Sequence, residues 1–184
     1  RAKFYPHRIS YYACGEYGST CPQHDVENCY FCGPLQRPHY HLIIFNFDFP
    51  DKHHIHDRDG QPCYDSETLA QLWPKGLHEI GTVTFDSCAY VARYVVKKQT
   101  GKRALDYYQK WDYSLGTLNP VEPEFALMSL KPAIGKNWYE EFKTDLYPED
   151  QLPIPGRGVY GKPPKYYDVL FDREHPEKMQ EIKA

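Results

Sequence analysis

The chain has 184 residues, 41% of them hydrophobic and 16% aromatic with 17 tyrosines, and a net charge of −3. That length suits one domain with a sizeable core, no apolar run approaches the about 18 residues of a membrane-spanning helix, and slight acidity argues against a general polyanion binder. The opening RAKFYPHRIS lacks the apolar stretch of a secretory signal, so a soluble, cytoplasmic protein is expected.

In chain order, residues 8–14 (RISYYAC) read as a strand ending at Gly15 and Gly18, and 19–36 as an aperiodic, Cys-rich excursion. HYHLIIFNF (39–47) is a second strand, and 50–64, rich in Asp, His, Gly and Pro, an exposed loop. DSETLAQLW (65–73) makes a short helix stopped by Pro74, and LHEIGTVTF (77–85) a strand. Asp86 or Ser87 caps a helix, CAYVARYVVKKQ, that runs to Gly101. A strand at 124–130 and a helix at 136–147 follow. The Pro/Gly-rich stretch from 151 to 184 reads as an extended arm on a domain of residues 1–150. The order of elements implies an α+β fold with a mainly antiparallel sheet.

Three constellations carry chemistry. His39 and His41 are two apart on a strand, so both imidazoles leave one face and can chelate a divalent cation. Paired strands lie about 5 Å apart, which lets Glu16 complete a triad. Tyr90 and Tyr94, four apart on a helix, share a stripe with Lys98, and Lys97 lies one turn beyond Tyr94. A phenol with a pKa near 10 needs such cations to act as a nucleophile. An aromatic stripe packed on the sheet is the plainer reading of the same two tyrosines.

The third constellation is Cys21-x2-His24-x4-Cys29-x2-Cys32, three thiols and an imidazole suited to structural zinc. Free thiols or a Cys29–Cys32 redox pair are its alternatives. His53, His54 and His56, in a loop rich in Asp and Lys, are expected to be solvated. Global acidity hides a basic run: Arg93, Lys97, Lys98, Lys102 and Arg103 occur with no acid between 91 and 103.

The runs ACGEYG, RPHYHLIIF and AYVARYVVKK, followed by EFALMSLKPAIGKNWYEEF and PPKYYD, resemble the replication initiators of microviruses, above all the gokushovirus branch. The resemblance spans nearly the whole chain and keeps the motif order. It implies an HUH endonuclease fold, with Mg2+ or Mn2+ held by His39, His41 and Glu16. Tyr90 and Tyr94 are then nucleophiles with Lys97 beside them, and Arg93 and Lys98 face DNA. Nicking of single-stranded DNA would leave a 5′-phosphotyrosine and a 3′-OH for host replication proteins, in the cytoplasm of a bacterial host, with no membrane partner. Arg93 stands where some relatives have lysine, and residues 1–8 match neither the strand nor the helix that relatives carry before the GEYG segment. The rival readings are a zinc-stabilised single-strand-binding module without catalysis and a phosphoesterase that uses water.

Overall fold

The computed structural model describes residues 8–21, 26–27, 36–112, 114–147 and 149–183. The fold is α+β, and it divides into two compact units, Arg1–Ser129 and Leu130–Ala184. The division therefore falls after Ser129, ahead of the Pro/Gly-rich stretch that begins near 151.

The first unit is built on a three-stranded antiparallel sheet. Its strands are β1 (Ser10–Tyr17), β4 (Pro38–Phe45) and β9 (Phe125–Met128), in the order β4-β1-β9, with the two-residue strands β2 (Thr20–Cys21) and β3 (Val26–Glu27) paired apart from it. β1 runs through Gly15 rather than stopping there. The close approach of Phe125, directly opposite in register, explains the glycine: a Cβ at Gly15 would sit 2.5 Å from the Phe125 ring. Gly15→Ala is expected to cost about 1–3 kcal/mol as the ring is forced aside, read as a lowered urea midpoint with unchanged slope.

The register of β1 and β4 sorts two faces. Cys14 pairs with His41 and Glu16 with His39, so these four, with Tyr12 and Ile43, share one face. Tyr40 points to the other, where its ring meets Trp73 at 5.1 Å and Phe125 at 6.3 Å.

Residues 50–64 are not the expected loop. They contain a hairpin of β5 (His53–Arg58) and β6 (Gln61–Asp65), turned by Asp59 and Gly60 at φ of 51° and 73°. This is the two-residue turn with positive φ at both positions that Asp-Gly favours. α1 (Glu67–Leu72) follows, capped by Ser66, whose hydroxyl accepts from the Leu69 N–H and donates to Asp51. Asp51 also accepts from the Thr68 N–H, and these bonds hold its carboxyl down at about 2.

The strand expected at 77–85 is likewise absent. Ile80 alone exchanges two backbone hydrogen bonds with Tyr64, at 2.9 and 2.8 Å. The β-branched run that suggested a strand ends in Thr84, which instead caps α2 (Phe85–Ala92) in a reciprocal box with Ser87. Cap and helix start therefore precede the expected Asp86 or Ser87. At Arg93 the α-helix tightens into a 3-10 turn, Arg93–Lys97, and Lys98 leaves helical geometry at ψ 121°. Beyond lie α3 (Lys102–Tyr107) and the hairpin β7 (Gln109–Asp112) with β8 (Thr117–Pro120).

In the second unit, the expected extended arm is folded. α4 (Lys136–Leu146), the hairpin β10 (Leu152–Ile154) with β11 (Val159–Gly161), α5 (Lys165–Glu174) and α6 (Pro176–Lys183) follow in order. Tyr139, Leu146, Tyr147, Tyr167, Phe171 and Met179 form its core. Tyr147 stacks on Phe171 at 4.0 Å and donates to Asp168 at 2.7 Å, so its polar end is satisfied. Among the described residues no helix is long and apolar enough to cross a membrane.

Candidate functional site

The face of β1 and β4 that carries Glu16, His39 and His41 meets the α2 turn. The Cys14 thiol donates to the Val91 carbonyl at 3.8 Å, which seats the helix across β1 at the residue paired with His41. Burial, and after it Glu16, pushes the Cys14 thiol above its ordinary pKa. Cys14 is thus an apolar spacer under the site.

His41 is the hub. Its Nε2 lies 3.2 Å from Glu16 Oε1. Its ring stacks on Tyr94 at 4.2 Å and 11°, and meets Tyr90 edge-on at 6.0 Å. The Tyr94 hydroxyl donates to the Tyr90 hydroxyl. Burial, then that bond and the Glu16 charge, drives Tyr94 well above the usual phenol range. Tyr94 therefore keeps its proton and acts as a donor, while the Tyr90 ring is half exposed (50%).

The 3-10 turn sets the cations. Residues three apart eclipse each other in a 3-10 helix, and Lys97 Nζ accordingly sits 4.7 Å over the Tyr94 ring and 2.5 Å from Glu16 Oε2. Arg93 lies 5.9 Å over the Tyr90 ring. The expected stripe through Lys98 ends one residue earlier, because Lys98 is already outside the helix. The far end of this segment is fixed by Tyr108, whose hydroxyl accepts from the Gln99 N–H at 2.8 Å and donates to the buried Glu124. Burial and that carboxylate push Tyr108 up to about 12. Tyr108 and Glu124 both lie outside the helical run they anchor, so no local pattern pointed to them.

Glu16 is 7% exposed and has His41 and Lys97 as neighbours, so its carboxylate is held facing both. A carboxylate beside an imidazole is a donor set that suits a divalent cation. His39 is the exposed member of the expected triad. Its ring overlies Gly18, where a Cβ would come within 2.8 Å of Cε1. The ligand atoms of His39, His41 and Glu16 do not all lie within 4.8 Å of one another. The side chains of Cys21, His24, Cys29 and Cys32 lie outside the described residues.

An antiparallel sheet presenting paired histidines, a carboxylate and two helical tyrosines defines a candidate phosphate-handling site, and the relatives give it a biological setting. Residues 28–99, which include both histidines and both tyrosines, match the family of replication-associated protein ORF2. The chain is 34% identical over 178 residues to replication-associated protein VP4 of Bdellovibrio phage phiMH2K, covering 96% of this chain and 47% of that protein. It is 31% identical over 169 residues to replication-associated protein ORF2 of Spiroplasma virus 4, covering 90% and 44%. The chain belongs to this family of phage replication-associated proteins. It spans about half the length of these relatives. No solved structure matches it.

Proposed function

We propose that the first unit is an HUH endonuclease domain that nicks and joins single-stranded DNA to initiate rolling-circle replication. The observation that carries this reading is the linked pair of phenols, Tyr90 and Tyr94, seated against His41, Glu16 and Lys97 on one sheet face. The Tyr90 oxygen, accepting from Tyr94 and more exposed, is the first nucleophile. It attacks the scissile phosphorus; the bond from phosphorus to the 3′ oxygen breaks, and a 5′-phosphotyrosine and free 3′-OH result. The phenolic proton leaves Tyr90 and a proton reaches the departing oxygen, so charge balances. Tyr94 stabilises the developing phenolate by donation, and Lys97 and Arg93 lie where they offset phosphate charge. His41 and Glu16, with His39, would hold Mg2+ or Mn2+, which supplies Lewis-acid polarisation of the phosphoryl oxygens. Exposed aromatic rings such as Tyr90 offer stacking surfaces for splayed bases. Single-stranded origin DNA and host replication proteins are the partners, inside a bacterial host.

Incubation with single-stranded oligonucleotides and Mn2+ tests this: a covalent adduct should survive denaturation. Binding without an adduct would favour the non-catalytic single-strand-binding module. Cleavage without an adduct would favour attack by water.

The spacing of Cys21, His24, Cys29 and Cys32 supports a separate structural zinc. Freshly purified, reduced protein is expected to carry tightly held Zn2+ that Cys29→Ser releases, with stability falling more than activity per folded molecule. Elemental analysis that finds no zinc refutes it.

A further inference from the structure

The hairpin of β5 and β6 was expected to be a solvated, histidine-rich loop, yet it places three ligand-type side chains together. His56 and Cys63 are directly opposite in register. They are so because the strand bulges between His54 and His56: Tyr64 pairs with His54, and the next residue, Cys63, pairs with His56 rather than Ile55. Side chains alternate along a strand, so a bulge of one residue returns His56 to the face of Cys63. The third group comes from the linker before α2. The two backbone bonds between Tyr64 and Ile80 dock that linker on the hairpin edge and bring Glu79 alongside. Among the described residues, His56, Cys63 and Glu79 are the group whose ligand atoms all lie within 4.8 Å of one another.

We infer that His56, Cys63 and Glu79 bind one divalent cation of borderline softness, with Zn2+ the natural occupant, at a site separate from the tyrosine face. An imidazole, a thiolate and a carboxylate are zinc donors, and bonds of about 2.0–2.3 Å place tetrahedral donors roughly 3.5 Å apart, within a small side-chain adjustment of what is present. The carboxylate is oriented for one oxygen to bind: Arg58 holds Glu79 Oε2 at 2.8 Å, while Oε1 faces His56 Nε2 at 3.6 Å. The thiol is buried and the imidazole half exposed, so the ion is shielded on the Cys63 side and open to water at a fourth position. Without the ion the Cys63 thiol donates to Glu79, which raises its pKa. The cation replaces that proton, which passes to solvent, leaving a metal-bound thiolate. The bound ion clamps the hairpin to the linker that enters α2.

Cobalt reports on such a site through its thiolate charge-transfer absorption. Metal-free protein, titrated with Co2+, should take up one more equivalent than either Cys63→Ser or His56→Gln. Subtracting the Cys63→Ser spectrum should leave a thiolate-to-cobalt band, a difference that cancels any signal from Cys21, Cys29 and Cys32. His56→Gln replaces an exposed side chain and decides the question alone if circular dichroism shows that Cys63→Ser is unfolded. Equal stoichiometry and superimposable spectra across the folded proteins would overturn the site. An extra equivalent with no thiolate band would overturn it as well, since the donor set includes Cys63.

Discussion

Substituting both tyrosines, Tyr90→Phe with Tyr94→Phe, is expected to abolish the covalent DNA adduct while single-strand affinity changes little, since Arg93, Lys97 and Lys98 remain. The single variants should separate. Tyr90→Phe removes the half-exposed oxygen that accepts from its neighbour, and first-strand cleavage should nearly vanish. Tyr94→Phe removes a donor to a developing anion; hydrogen bonds to charged groups are worth about 1.5–3 kcal/mol, roughly 10- to 150-fold in rate. Cleavage by Tyr94→Phe should therefore persist, slowed, yet fail in a coupled assay that demands cleavage followed by joining to a new end. Ending a replication round needs a second attack while the first 5′ end is still held, and only a second phenol can supply it. Peptide mapping of the adduct decides the order: phosphotyrosine at Tyr94 alone reverses it. Phosphotyrosine at Tyr108 would discard the site, although that hydroxyl is already bound between Gln99 and Glu124.

Much of the site was legible because its parts sit on regular elements. The two-residue spacing of His39 and His41 survives in β4, and the strand pairing expected for Glu16 is realised as its direct opposition to His39. Tyr90 and Tyr94 needed only a helical turn. What spacing alone could not give was the change of helix type at Arg93. A continuous α-helix would have carried the stripe to Lys98; the 3-10 turn brings Lys97 over Tyr94 and onto Glu16 instead. No residue in RYVVK announces that change, which follows from how the segment is tied at Gln99.

The fold was misread where composition outweighed a local signal. Polar residues made 50–64 look like a loop, although Asp59-Gly60 is a strong hairpin turn. Thr82, Val83 and Thr84 have strand propensity, but Thr84 is used by its hydroxyl to cap α2. In the last stretch, prolines and glycines between 153 and 164 masked an amphipathic helix beyond them. Tyr167 and Phe171, four apart, both enter the core of the second unit.

His41→Ala is expected to lower nicking by at least about 10²–10³-fold, the scale of losing a charge-stabilising group at a reacting phosphate. The geometry makes it the more damaging of the two histidine substitutions. His41 touches Glu16 and stacks on Tyr94, whereas His39 is exposed and makes its close approach to Gly18. The fold should tolerate the change, because a part-buried strand position loses only about 1 kcal/mol on truncation of this kind; a thermal melt checks it. EDTA should silence the wild type to the same degree, and added Mn2+ should restore it but not rescue His41→Ala. The comparison separates two roles for one ring. If EDTA silences the wild type, His41 acts as a ligand beside Glu16. If the wild type keeps full activity in EDTA while His41→Ala is dead, the metal role fails and His41 acts through its stack on Tyr94. In that second case Lys97, already seated on Glu16 and over the Tyr94 ring, is the cation that remains to meet the phosphate.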